Sequence, residues 1–189
     1  MREINNLKIV SPIDTTIIEK LRVGTRVLIS GVLYTARDSA HRRLVETLER
    51  GEQIPFDIRG QTLYYMGPSP PRPGQIIGSA GPTTSGRMDT YSPPLIAIGL
   101  KAMIGKGNRS SEVRKAIKRY KAVYLVAIGG TGALLSKAIK EVQVVAYPDL
   151  GVEAIMRLEV EDLPAICAND IYGDDLFEQG KARYQKINY

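Results

Sequence analysis

Tryptophan is absent from this 189-residue chain, phenylalanine occurs twice, and cysteine and histidine occur once each. A single cysteine excludes an intrachain disulfide framework and any cysteine-rich metal site. A single histidine, His41, likewise excludes a His-based zinc centre built by this chain alone. Metal chemistry at this protein therefore needs ligands drawn mostly from another polypeptide. Cys167 lies in the run LPAICAND and reads as an inert buried thiol. No apolar run reaches the roughly 18 residues of a membrane span, and the N-terminus lacks a signal-peptide pattern. The expectation is a soluble, cytoplasmic protein.

Other patterns are missing too. GKGNR, around Lys106, places a lysine between glycines, but no G-x-x-x-x-G-K-[ST] phosphate loop exists. Gly129-Gly130-Thr131-Gly132 follows a strand-like run yet lacks the G-x-G-x-x-G spacing of a dinucleotide loop, so it reads as a tight turn. The net charge of +6 raises the question of nucleic acid. Against that, the densest basic cluster, Arg109 to Lys121, includes Glu112 and reads as an amphipathic helix with a solvated charged face, and no RNP-like or zinc-finger motif accompanies it. A positive field serves a small dianion equally well.

What is present organises into one domain, 1–189, with a polar extension over 170–189. Leu7 to Val10 reads as a first strand, and Asp14 caps a short helical turn. Thr25 to Leu33 is β-branched and alternating, a core strand that delivers Tyr34 to Arg37 at its end. Asp38 or Ser39 then caps a helix from Ala40 to about Arg50, stopped by Gly51; His41 is placed to pair with Asp38. Strand-like pieces flank Arg59-Gly60, and Gly67 to Gly74 is a stiff, proline-rich connection. Pro93-Pro94 opens a buried helix, Ala102 to Gly105 is a strand, Ser110 caps the basic helix, and AVYLVAI is a strand covered on both faces. Val142 to Ala146 and Ala154 to Val160 complete a mixed α/β pattern.

The segment that does not read as scaffold is Gly78 to Tyr91, GSAGPTTSGRMDTY. Glycines let backbone N–H groups approach a ligand, and Ser79, Thr83, Thr84, Ser85 and Arg87 add short hydroxyls and a guanidinium, so the loop suits a carboxylate or phosphate. A plain polar turn with a Thr or Ser cap has the same composition.

GSAGPTTSGRMD, with Lys106 in IGKGNR nineteen residues after Arg87, resembles the signature of the β subunit of class I iron–sulfur fumarases and tartrate dehydratases. YTARDSAHRR, PFDIRGQTLYYMGPSPPRPG and VVAYPDLGVEAI match the same family in the same order, from about Thr25 to about Ile171. The resemblance implies a swivelling β/β/α domain with mixed sheets and covering helices. It implies reversible addition of water to fumarate, giving (S)-malate, with L(+)-tartrate dehydration as the alternative; a non-catalytic anion- or RNA-binding module is a more remote one. Arg37, Thr84, Arg87 and Lys106 then bind the substrate and Thr83 transfers the proton. No metal ligand falls on this chain. The [4Fe–4S] cluster, a Lewis acid for the departing hydroxyl, belongs to a partner α subunit in an αβ or α₂β₂ assembly.

Overall fold

The computed structural model describes residues 6–185. Seven strands lie in the order β1-β2-β3-β4-β5-β7-β6, and β2 also pairs with β7. These are β1 (Leu7–Ser11), β2 (Arg26–Thr35), β3 (Thr62–Tyr64), β4 (Ala102–Gly105), β5 (Val123–Val126), β6 (Ile139–Ala146) and β7 (Ile155–Asn169). The β2–β7 pairing closes β2, β3, β4, β5 and β7 into a ring, with β1 and β6 attached outside it. Strands β2 to β5 are mutually parallel, whereas β7 runs antiparallel to β2, β5 and β6. The chain is thus mixed α/β, a sheet with covering helices.

Parallel neighbours require crossovers, and helices supply them. Between β2 and β3 runs α2 (Asp38–Glu49); between β3 and β4, α3 (Ser92–Ala97); and between β4 and β5, α4 (Ser111–Tyr120). The start of α4 is fixed by Ser110, whose hydroxyl accepts the Val113 N–H, and its end by Lys121 in the left-handed region. Val113, Ala116 and Ile117, spaced for one helical face, are the residues of α4 that are buried.

Alternation along the strands divides the core in two. Tyr64, Ile104 and Leu125 join Ile29, Leu33, Leu158 and Leu163 inside the ring. Their neighbours Leu63, Tyr65, Met103 and Tyr124 point outward against Leu44 of α2, Leu95 of α3 and Ile117 of α4. Both faces of β3 to β5 are therefore apolar, and each fully buried large side chain contributes roughly 1.5–3 kcal/mol.

Several elements depart from the sequence expectation. Arg59-Gly60 form a turn, and of the strand-like pieces expected to flank them only the following one, β3, is a strand. The strand expected to end at Val160 continues to Asn169 and carries Cys167, fully buried, between β2 and β5. The polar segment after Asn169 folds back: α6 (Leu176–Tyr184) is capped by Asp175, and Leu176 and Phe177 pack on the outer core. No helix among the described residues is long and apolar enough to cross a membrane.

Candidate active site

Because β2, β3 and β4 are parallel, their carboxyl ends share one rim, the place where open α/β sheets present ligand-binding loops. Arg37 stands two residues beyond the end of β2 and Lys106 one residue beyond β4. The segment containing Thr83 is stitched between them. Thr83 N–H donates to the Tyr65 carbonyl at 2.7 Å, and the Thr83 carbonyl accepts the Lys106 N–H at 3.1 Å. The Lys106 carbonyl in turn accepts Ser85 N–H at 2.9 Å, so Thr84 and Lys106 lie side by side as a parallel bridge. A short 3₁₀ turn, Ser85–Met88, follows immediately and carries Arg87; the Thr84 hydroxyl is not consumed in capping it.

The side chains converge on this frame. Arg87 Nη2 donates to Thr83 Oγ1 at 2.5 Å, and Arg87 Nε lies 3.3 Å from Asp38 Oδ1. Arg37 Nε is 4.0 Å from the other oxygen of Asp38, and Arg37 Nη2 is 3.4 Å from Glu153 Oε1. Gly67 makes room for Arg37, since a Cβ there would come within 2.5 Å of its Nη1. The Lys106 side chain is exposed and runs past Gly129, where a Cβ would sit 3.5 Å from its Cδ. The ion pairs of the rim engage Arg37 and Arg87 but not Lys106. All five residues expected from the sequence, Arg37, Thr83, Thr84, Arg87 and Lys106, thus occupy one edge of the sheet.

Asp38 and Glu153 are the members that sequence reading missed. The sequence suggests Asp38 as a helix cap or a partner for His41; it is instead the first residue of α2, with Arg37 in the N-cap position. Glu153 accepts the Ser39 N–H at 2.9 Å. Burial raises its carboxyl pKa, but Ser39 and the charges of Arg37 and Arg87 outweigh this and bring it below the usual glutamate range.

Beneath the rim lies a buried polar assembly. Arg109 is no part of a solvated basic face: its side chain is 0 % exposed, with Nε 2.7 Å from Asp89 Oδ1. Its Nη2 donates to Ser92 Oγ at 2.7 Å, Nη1 reaches Tyr65 OH at 3.4 Å, and the guanidinium carbon lies 4.9 Å from the Tyr124 ring centroid. Asp89 Oδ2 accepts Ser110 N–H at 2.6 Å, so this aspartate braces the start of α4. The Tyr124 hydroxyl donates to the Gly107 carbonyl at 2.8 Å and lies 2.9 Å from Ser85 Oγ, which sits over Gly105 where a Cβ would overlap it. Both loops that carry Thr83 and Lys106 are thereby tied to one buried hydroxyl, whose ring packs on the Arg109 cation.

His41 does not pair with Asp38. It is fully buried edge-on to Tyr65, its Nδ1 is 3.0 Å from the Arg37 carbonyl, and its Nε2 has no partner. Burial pushes its pKa from 6.5 to about 4; the Arg37 carbonyl opposes this and the charge on Arg109 adds to it. Between those values the unfolded chain holds a proton that the folded chain refuses. His41 therefore leaves stability intact above about pH 6.5 and erodes it as pH falls toward about 4, at about 1.4 kcal/mol per unit. His41→Leu should flatten this limb: between pH 7 and pH 5 its urea midpoint should fall less than that of the parent. Equal falls would remove His41 as the cause.

No group of three or more His, Cys, Asp or Glu side chains suited to a metal ion occurs among the described residues. Burial pushes the Cys167 thiol up to about 12, and it faces the ring interior, so it does not fit a cluster ligand.

The family model described as Fumarase C-terminus matches residues 2–180. The aerobic class I fumarate hydratase of Escherichia coli is 44 % identical over 159 residues, 83 % of this chain and 29 % of that protein. Mitochondrial fumarate hydratase 1 of Leishmania major is 43 % identical, over 86 % of this chain and 30 % of its own length. A Methanocaldococcus jannaschii protein described as L(+)-tartrate dehydratase subunit beta is 38 % identical over 90 % of this chain and 91 % of its own length. This chain therefore spans under a third of those fumarate hydratases but nearly all of a separate β subunit. With the match running from strand β1 into α6 and spanning every rim residue, the chain belongs to the Fumarase C-terminus family.

Proposed function

We propose that this chain is the β subunit, equivalent to the C-terminal domain, of a cytoplasmic class I fumarate hydratase, and that its fold is the swivelling β/β/α domain of that family. The observation that carries the reading is the convergence of Arg37, Arg87 and Lys106 with Thr83 and Thr84 on one rim. Fumarate and malate carry a carboxylate at each end, and a dianion of that shape needs cations on both sides. Arginine grips a flat carboxylate through two parallel N–H groups, while Lys106 acts as a point charge.

During C–H bond formation or cleavage, negative charge moves onto the adjacent carboxylate as an aci-carboxylate. Cations fixed in advance stabilise that state more than the ground state, and the difference appears as rate. Thr83 is the proton-transfer residue. Its hydroxyl is a weak base in water, but the hydrogen bond received from Arg87 favours the alkoxide form. Thr84 and Arg87 orient the substrate beside it.

A [4Fe–4S] cluster completes the site and belongs to the α partner. The existence of a separate β subunit among the relatives supports a two-chain assembly, αβ or α₂β₂. The isolated chain should be inactive, and anaerobic mixing with its cognate α subunit should produce fumarate consumption. Full activity of this chain alone without iron would overturn the assignment.

L(+)-tartrate dehydration is the second reading, favoured by the same full-length β relative. The reconstituted complex decides between them: kcat/KM for malate far above that for L(+)-tartrate supports the first reading, and the reverse ratio supports the second.

A further inference from the structure

Asp38 poses a problem that the substrate-binding role of the rim does not solve. The rim carries three cations (Arg37, Arg87, Lys106) and two carboxylates (Asp38, Glu153), so a site read as binding a dianion has a net charge of only three minus two, or +1. Carboxylates here weaken the attraction for substrate, so their contribution must lie elsewhere. Geometry shows where.

Asp38 reaches both guanidinium groups by the same atom type. Its Oδ1 is 3.3 Å from Arg87 Nε and its Oδ2 is 4.0 Å from Arg37 Nε. Oδ2 of Asp38 and Nε of Arg37 are both buried and both without a hydrogen-bond partner. Two unsatisfied groups of opposite charge thus face one another across a gap that a movement of about 1 Å would close to charge-assisted hydrogen-bond length. Beyond Nε, Arg87 offers Nη2 to Thr83 Oγ1 and Arg37 offers Nη2 toward Glu153. The first turn of α2 suits a carboxylate, because helix N–H groups are free there.

We propose that Asp38 is a positioning residue: it holds the Nε edge of Arg87 and faces that of Arg37, so that Arg87 Nη2 stays turned toward Thr83 and Arg37 stays beside Glu153 on the rim. Arg87 is exposed on its 3₁₀ turn, where an unheld side chain would sample many rotamers and would be repelled by the neighbouring cations. Asp38 removes both sources of disorder at the cost of some attraction.

Part of this rests on the hydratase reading, so the test has one arm that does not. Nε–Hε NMR cross-peaks of the arginines are followed in the chain itself. In the parent, the Hε protons of Arg87 and Arg37 should exchange slowly; in Asp38→Asn both should speed up, and Asp38→Glu should restore at least that of Arg87. Unchanged exchange in Asp38→Asn overturns the proposal whatever the enzyme does. Should Asp38→Asn fail to fold, Asp38→Ser, which keeps a helix-start residue, gives the same reading.

The second arm uses the complex with the α subunit. Asp38→Asn should lower kcat by about 10²-fold, the cost of a small misplacement of reacting groups. KM and the affinity for succinate, a dicarboxylate that cannot react, should stay level or improve, because a negative charge has gone. A raised KM with kcat intact would make Asp38 a substrate-binding determinant and overturn the positioning role. If the parent complex proves inactive with fumarate and tartrate alike, the hydratase reading fails while the exchange arm still decides the Asp38 inference.

Discussion

Thr83→Ala should lower kcat of the reconstituted enzyme by about 10²-fold or more, within the 10²–10⁴ range for loss of general acid–base catalysis, with little change in KM. The backbone makes this a clean substitution. Thr83 is held through its own N–H to Tyr65 and through its carbonyl to Lys106, neither of which involves the side chain. Removing the side chain therefore deletes one hydroxyl and leaves Arg87 Nη2 without its acceptor, while the loop keeps its path. Thr83→Ser retains the oxygen and should recover most of the rate. A loss confined to KM, or an alanine variant with parental kcat, would reduce Thr83 to a binding contact.

Local patterns in the sequence were enough to locate most of the strands, though not the full extent of β6 and β7. Alternation in β2 and the apolar run of β5 identify core strands, and the loop from Gly78 to Arg87 announces itself by composition. The five rim residues came from motifs of the family, since composition alone does not distinguish Lys106 from any exposed loop lysine. Contacts distant in sequence were the ones hidden. Arg109 looked like the first turn of a charged helix because its partners Ser92, Asp89 and Tyr65 stand 17, 20 and 44 residues before it. Glu153 reaches the rim from 114 residues beyond Ser39. In β7, Asp162 with φ 50° and Pro164, which has no N–H, broke the strand pattern after Val160. The strand continues because Leu163 to Ile166 pair with Ile29 to Arg26 of β2.

Asp89→Ala should destabilise the protein by about 3–5 kcal/mol, the penalty for stranding one partner of a buried ion pair. Arginine cannot lose its proton to escape burial, and Arg109 has no solvent-exposed side-chain surface from which water could replace the carboxylate. Two hydrogen bonds vanish together, one from Arg109 Nε and one from the Ser110 N–H that opens α4. At roughly 2–4 °C per kcal/mol for a chain of this size, Tm should drop by about 10 °C. Asp89→Asn should cost less, because its amide oxygen still accepts from Arg109 although its NH₂ cannot accept from Ser110. The decisive control is Asp89→Leu combined with Arg109→Met. Replacing both charges with apolar groups removes the stranded cation, so the double variant should regain much of the lost stability. Function should not return with it. Ser92 Oγ and Tyr65 OH lose the guanidinium that joins them, and the Tyr124 ring, whose hydroxyl holds the loops bearing Thr83 and Lys106, loses the cation packed against it. Urea unfolding of the three variants tests the stability ranking, and turnover in the complex tests whether a restored fold without Arg109 still aligns the rim. An Asp89→Ala variant within about 1 kcal/mol of the parent would mean that the pair is dispensable, since the measured cost of breaking such pairs is several times larger.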